Sequence, residues 1–332
     1  MKGLILSALF LVLRFSLFAG RLAILPGIME PYSIAVDEKH VYIGEESSVS
    51  IYTLTDFKLV KKFGSRGEGP MEFKSIPFLE VFPEYLIVNC FGKLLFFEKN
   101  GTYIKEIRTP SVFTLFVYPV GDNYVGLTVK SNNISREKSF AIDLFDRGMK
   151  FLEEIAKEVK KTKETKSGRR QLNAIVECFK HNVFGDHIYI ADSQKGFHIE
   201  VFDSRGKKCY VIDKDYEKIR VTEEYRNAFN KRMNNSKDYV SKITKSRYSY
   251  AFPDYFPAIK EFMVKNGKIY AFTYKQVGGK REVIVMDLKG KVLKKSFVTA
   301  IDTTLEAIAQ DRYYYLLENE EKEVFELFAE EI

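Results

Sequence analysis

The sequence predicts an all-β chain, a six-bladed β-propeller of four-stranded antiparallel blades, and three observations carry that expectation. One strand-turn-strand unit recurs six times, four of its later turns hold a glycine, and aromatic residues are abundant. Phe numbers 28 and Tyr 20 while Trp is absent, and 45% of the 332 residues are hydrophobic. That supply fills a large core and favours pleated strands, where ring and β-branched side chains pack well.

The chain opens with MKGLILSALFLVLRFSLFAG, in which Lys2 precedes an apolar run from Leu4 to Leu13 and small residues stand at Ala19 and Gly20. This is a signal-peptide layout, so residues 1–19 are expected to be removed and the product exported to the periplasm or the extracellular medium. Arg14 breaks the apolar run, which is too short for a permanent span of roughly 20 residues.

The second strand of each unit follows a polar turn: Val41 to Ile43, Leu86 to Val88, Tyr124 and Val125, Ile188 to Ile190, Ile269 to Ala271, and Tyr313 to Tyr315. Turn residues such as GDN, GDH, NGK and QDR precede them and suit a hairpin. The third strands share an exit in which Gly101, Gly148, Gly206 and Gly290 are expected at a left-handed position, and a fourth strand follows. The last unit, from Leu305 to Ile332, stops after its third strand. The apolar segment Leu22 to Leu25 is therefore expected to supply the missing fourth strand and close the ring.

Two stretches break the rhythm between these units. Residues 157–172 are rich in Lys and Thr and read as a basic loop. Residues 222–250 read as a helical insertion between blades four and five: Thr222 caps, Glu223 and Glu224 fill the first turn, and Tyr225, Phe229 and Met233 share a face. Ser236 is placed to cap a second short helix carrying Val240 and Ile243. The formal charge of +7 lives in these insertions: residues 157–170 carry +5 and residues 223–247 carry +4, leaving −2 for the framework. Both are expected to decorate one face of the ring. Cys90, Cys178 and Cys209 lack C-x-x-C spacing, which argues against a disulfide scaffold and a cysteine zinc site.

At residues 63–77, FGSRGEGPMEFKSIP resembles the G-x-G-P-G-E-F signature of a bacterial six-bladed propeller family related to NHL repeats. Residues 185–207, GDHIYIADSQKGFHIEVFDSRGK, resemble an NHL repeat. Met71 stands where the family has glycine. The resemblance implies fold more than function, because such folds host unrelated activities. In the first segment Gly64, Gly67, Gly69 and Pro70 make a blade connector that could present Arg66 and Glu68 at a binding face.

Catalytic signatures are sparse: there is no G-x-S-x-G elbow, no H-E-x-x-H pair and no P-loop. The leading expectation is an exported, non-enzymatic recognition or scaffold propeller that binds a protein, peptide or glycan through Arg66, Glu68, Tyr225 and Phe229. The alternative is a calcium- or zinc-dependent hydrolase, lactonase or lyase, with Glu80, Glu177, Glu261 and Glu306 of the inner strands as metal ligands at the central channel. No cofactor is expected under the leading reading. Export disfavours nucleic acid as the partner of the basic insertions.

Overall fold

The computed structural model describes residues 20–332, apart from 133–136, 162, 166–167, 236–247 and 302–304. The leader and the second helix expected from Ser236 therefore lie outside the described residues. Strand β1 (Gly20–Leu25) comes first. Blade one is β2 (Pro31–Val36), β3 (His40–Glu45), β4 (Val49–Thr53) and β5 (Leu59–Phe63). Blade two is β6 (Phe78–Val81), β7 (Leu86–Cys90), β8 (Lys93–Phe97) and β9 (Tyr103–Arg108). Blade three is β10 (Thr114–Val120), β11 (Asn123–Asn132), β12 (Glu137–Phe145) and β13 (Phe151–Lys161).

Two short strands follow, β14 (Lys163–Glu164) and β15 (Arg170–Asn173), before blade four: β16 (Phe179–Phe184), β17 (His187–Asp192), β18 (Phe197–Asp203) and β19 (Lys208–Lys214). Helix α1 (Glu223–Asn235) and β20 (Tyr248–Ala251) separate it from blade five, which is β21 (Glu261–Lys265), β22 (Lys268–Val277), β23 (Lys280–Asp287) and β24 (Val292–Thr299). Blade six has β25 (Glu306–Ala309), β26 (Arg312–Asn319) and β27 (Val324–Glu331), and β1 joins it as the outer strand.

The expected closure is thus realised: β1 pairs antiparallel with β27, from Gly20 opposite Ala329 to Leu25 opposite Phe325. Closure leaves no blade without a neighbour, and the core reflects it. Six clusters of buried apolar side chains fill the six seams between blades. The seam between blades six and one packs Ile34 and Val36 of blade one against Leu25, Tyr314, Leu316 and Leu327 of blade six. It is held by burial like the other five seams, so ring closure uses the same hydrophobic gain as blade packing.

Two expectations need correction. Residues 157–172 are not a loop throughout. Strand β13 runs on to Lys161, because its alternation persists: Glu158 is 5% exposed while Val159 is 46% exposed. Arg170–Asn173 then forms β15, which pairs in parallel with β20, so the two insertions meet as one small sheet. The second correction concerns the third turn of blade three. Gly101, Gly206 and Gly290 hold φ of 82°, 83° and 85°, but there Met149, at 63°, takes the left-handed position in place of Gly148. In DRGMK the glycine falls one place early, and Met149 is retained because its side chain is buried at the seam with blade two.

Strand direction gives the ring two distinct faces. Inner strands begin at the upper face, where the connections between blades lie, and end at the lower face in the turns to the second strands. The segment between β13 and β16 and the segment between β19 and β21 are both blade connections, so both insertions sit on the upper face, as the sequence led one to expect.

Candidate functional site

At the upper face the channel opens into a cavity of about 520 Å³ lined by the beginnings of the inner strands. Its two halves differ. Blades one to three contribute Ile34, Phe78, Phe116 and Leu127 with the single carboxylate Glu80, whereas blades four to six add the charged Glu177, Lys180, Lys260, Glu261 and Glu306 to apolar residues such as Phe179 and Met263. Phe116 owes its place to a bulge between Leu115 and Tyr118 that puts it at φ 51°. Its ring packs on Phe78 at 5.0 Å and its carbonyl accepts from His181 Nε2 at 2.9 Å. Burial lowers the His181 pKa to about 4, so the imidazole is neutral and carries its proton on Nε2.

All four glutamates expected from the inner strands line this cavity, but each has a partner. Glu80 meets Lys265 of blade five, which stands opposite blade two, so the pair bridges the channel. On β21, Glu261, Met263 and Lys265 alternate into the channel while Phe262 and Val264 are buried in the blade. Burial lowers the Lys265 ammonium to about 8. Glu261 accepts from Lys180 Nζ at 2.8 Å. Glu306 accepts from the Tyr313 hydroxyl and lies 3.8 Å from Arg281, itself 1% exposed. Burial raises the Glu306 pKa against these two partners. Glu177, just before β16, lies 3.3 Å from Lys160 and accepts from Gln194 at 3.2 Å.

A shared metal would need several of these carboxylates at one level. Glu80 instead lies deep enough to line the lower cavity as well, while Glu261 and Glu306 start their strands. Among the described residues no group of three or more His, Cys, Asp and Glu is placed to hold a metal ion. His181, His187 and His198 do not assemble one either: His198 is engaged by Asp213 at 2.5 Å and His181 by the Phe116 carbonyl.

Tyr225 and Phe229 turn toward the protein. Thr222 caps α1 as expected, its Oγ1 accepting from Tyr225 N at 3.2 Å. Tyr225 then packs edge-on to Phe256 at 4.8 Å, and Phe256 stacks on Tyr274, a cavity wall, at 4.5 Å. Phe229 packs on Tyr250 and Phe252 at 5.2 and 5.3 Å. The helix thus buttresses the cavity through a line of rings.

Arg66 and Glu68 lie on the upper face in exposed ion pairs with Glu46 at 3.0 Å and Lys74 at 2.6 Å. The connector that carries them is tied down. Lys93 Nζ donates to the carbonyls of Glu68 and Gly69 at 2.8 and 2.7 Å, and Glu72 accepts from Gly69 N at 2.8 Å. A Cβ on Gly67 would meet Glu72 Oε2 at 2.0 Å, and one on Gly64 would meet the Phe73 ring at 2.3 Å. Met71 holds a left-handed backbone at φ 62°.

The lower end of the channel opens into a second cavity of about 940 Å³. The Glu80–Lys265 bridge lines both cavities and stands between them. Sequence reasoning found the glutamates and weighed His181 with His187 and His198 as a zinc set, but missed Lys180, Lys265 and Tyr274. Their only signal was that they occupy or adjoin the same strands.

No protein-family model and no curated protein matches the chain. Among solved structures, a protein of unknown function from Bacteroides caccae is similar over 81% of this chain and 82% of its own, at 9% identity and a TM-score of 0.40.

Proposed function

We propose that this propeller is a recognition module whose upper channel mouth holds an apolar segment of a protein or peptide. The observation that carries the reading is where exposed large apolar side chains lie. Apart from those on outer strands, they sit on or toward the upper face: Met29, Met71, Phe91, Phe113 and Val176 come from separate loops there, and Val277 ends β22. The turns of the lower face carry none among the described residues. Val176 lines the upper cavity itself, and exposed apolar surface gathered on one face gains by being covered.

The ion pairs support holding over conversion. A hydrolase, lactonase or lyase using Glu80, Glu177, Glu261 and Glu306 would first have to break the contacts that each already makes. The leader-like layout from Lys2 to Gly20 supports binding outside the cytoplasm, and no helix among the described residues is long and apolar enough to cross a membrane.

Selection from a random peptide library tests the reading. Peptides enriched in apolar side chains are expected to bind the native protein and to lose binding to the Phe113→Asp/Val176→Asp variant. Enrichment of no peptide, or equal binding to that variant, would overturn it.

A further inference from the structure

We propose that the lower cavity is a saccharide site, with Glu38, Glu84, Asp186, Asn266 and Gln310 as the groups that contact the sugar hydroxyls. Each of these five residues belongs to the turn between the inner and second strands of a different blade, and together they line the cavity around the channel axis. Its volume of about 940 Å³ is within the range of small-ligand sites.

These side chains stand apart from the polar groups that build the same turns. Asp37 accepts from the backbone N of Lys39 and of His40, both at 2.7 Å, and Asp311 accepts from Lys268 at 2.6 Å and from the Tyr270 hydroxyl. The side chains of Glu38, Glu84, Asp186, Asn266 and Gln310 are exposed and make no hydrogen bond or ion pair to another described residue. Gln310 and Asp311 hold φ of 51° and 59°, the two left-handed positions that a two-residue hairpin turn uses, so the turn projects the Gln310 side chain at its tip.

The mixture of groups selects the ligand class. Carboxylates accept strongly from hydroxyls, and carboxamides both donate and accept, which matches a polyhydroxylated surface presenting both. Phe82 and Tyr85, half-buried and 5.7 Å apart, add apolar ring surface for the C–H face of a pyranose. The Glu80–Lys265 bridge stands at the inner end of the cavity, where it meets the upper one, so the five turn groups are reached from the lower face.

Calorimetric titration with cellohexaose, maltohexaose, xylohexaose and laminarihexaose, and separately with spermidine, tests the proposal. At least one hexasaccharide is expected to bind, and its affinity to fall by about tenfold or more in Glu84→Ala/Asn266→Gly/Gln310→Gly. Glycine suits the backbone at 266 and 310, so that variant keeps the fold, which its unfolding midpoint verifies. Glu38→Ala/Asp186→Ala is a second, independent variant expected to weaken the same sugar. The proposal is overturned if no hexasaccharide binds at up to about 1 mM, if both variants bind undiminished, or if spermidine alone binds with an affinity that falls steeply with salt. The Phe113→Asp/Val176→Asp variant is expected to bind the sugar normally, so either mouth can fail its test while the other stands.

Discussion

The two mouths of the channel are made from opposite ends of the same six inner strands, yet they differ in how their polar groups are used. At the upper mouth the carboxylates are engaged, by Lys265, Lys180, Arg281, Lys160 and Gln194, and apolar loops surround them. At the lower mouth Glu38, Glu84 and Asp186 line the cavity without such partners, and among the described residues no large apolar side chain is exposed on the turns. The reason is topological. Connections between blades vary in length and admit insertions, which bring aromatic rings such as Tyr225 and Phe256 to the upper face, while the pairing cations Lys180, Lys265, Arg281 and Lys160 stand on the blade strands themselves. The turns to the second strands are short and leave room only for the side chains of the turn itself.

The largest effect should come from removing a cation at the upper mouth. Arg281→Met leaves the buried Glu306 without its charge partner and should lower unfolding free energy by about 3 kcal/mol in urea titration. Glu84→Gln at the lower mouth should change it by less than about 0.5 kcal/mol. Equal losses at the two mouths would break the contrast.

A second effect separates the mouths by pH. His181 lines the upper cavity only, and its folded pKa of about 4 lies below the ordinary 6.5. The unfolded chain therefore binds the proton first. Stability held by the neutral imidazole is complete above pH 6.5 and is lost as pH falls through the window down to 4, by about 3 kcal/mol. Unfolding titrations at several pH values should show this slope in the native protein and a flatter one in His181→Gln. A slope that survives the substitution would place its source elsewhere.

The smallest effect concerns the backbone of the upper connector. Met71→Gly releases the left-handed strain at φ 62° and should raise stability by about 0.5 kcal/mol, read as a higher unfolding midpoint. A loss instead would mean that the Met71 side chain stabilises the connector more than its backbone strains it.

Much of the architecture was legible because it is repetitive. Period-two alternation, turn residues and the truncated last unit are local features that recur, so Leu22 to Leu25 could be assigned to blade six from pattern alone. The same local reasoning placed Thr222 as a cap and put the four glutamates near the channel. It misassigned residues 157–161 because a charged composition hid the alternation of Glu158 and Val159. It also offered Tyr225 and Phe229 as ligand contacts, although the rings pack on Phe256, Tyr250 and Phe252.

What the sequence by itself determined is the blade: which residues form strands, which face of each strand is apolar, and where the ring closes. What only the tertiary structure decided is which groups meet across the channel. Glu80 and Lys265 are 185 positions apart, and the closure of six blades sets them face to face. Hydrophobic periodicity acts between neighbours in sequence and can be read along the chain. Charge pairing acts between neighbours in space, and those exist only once the ring has closed.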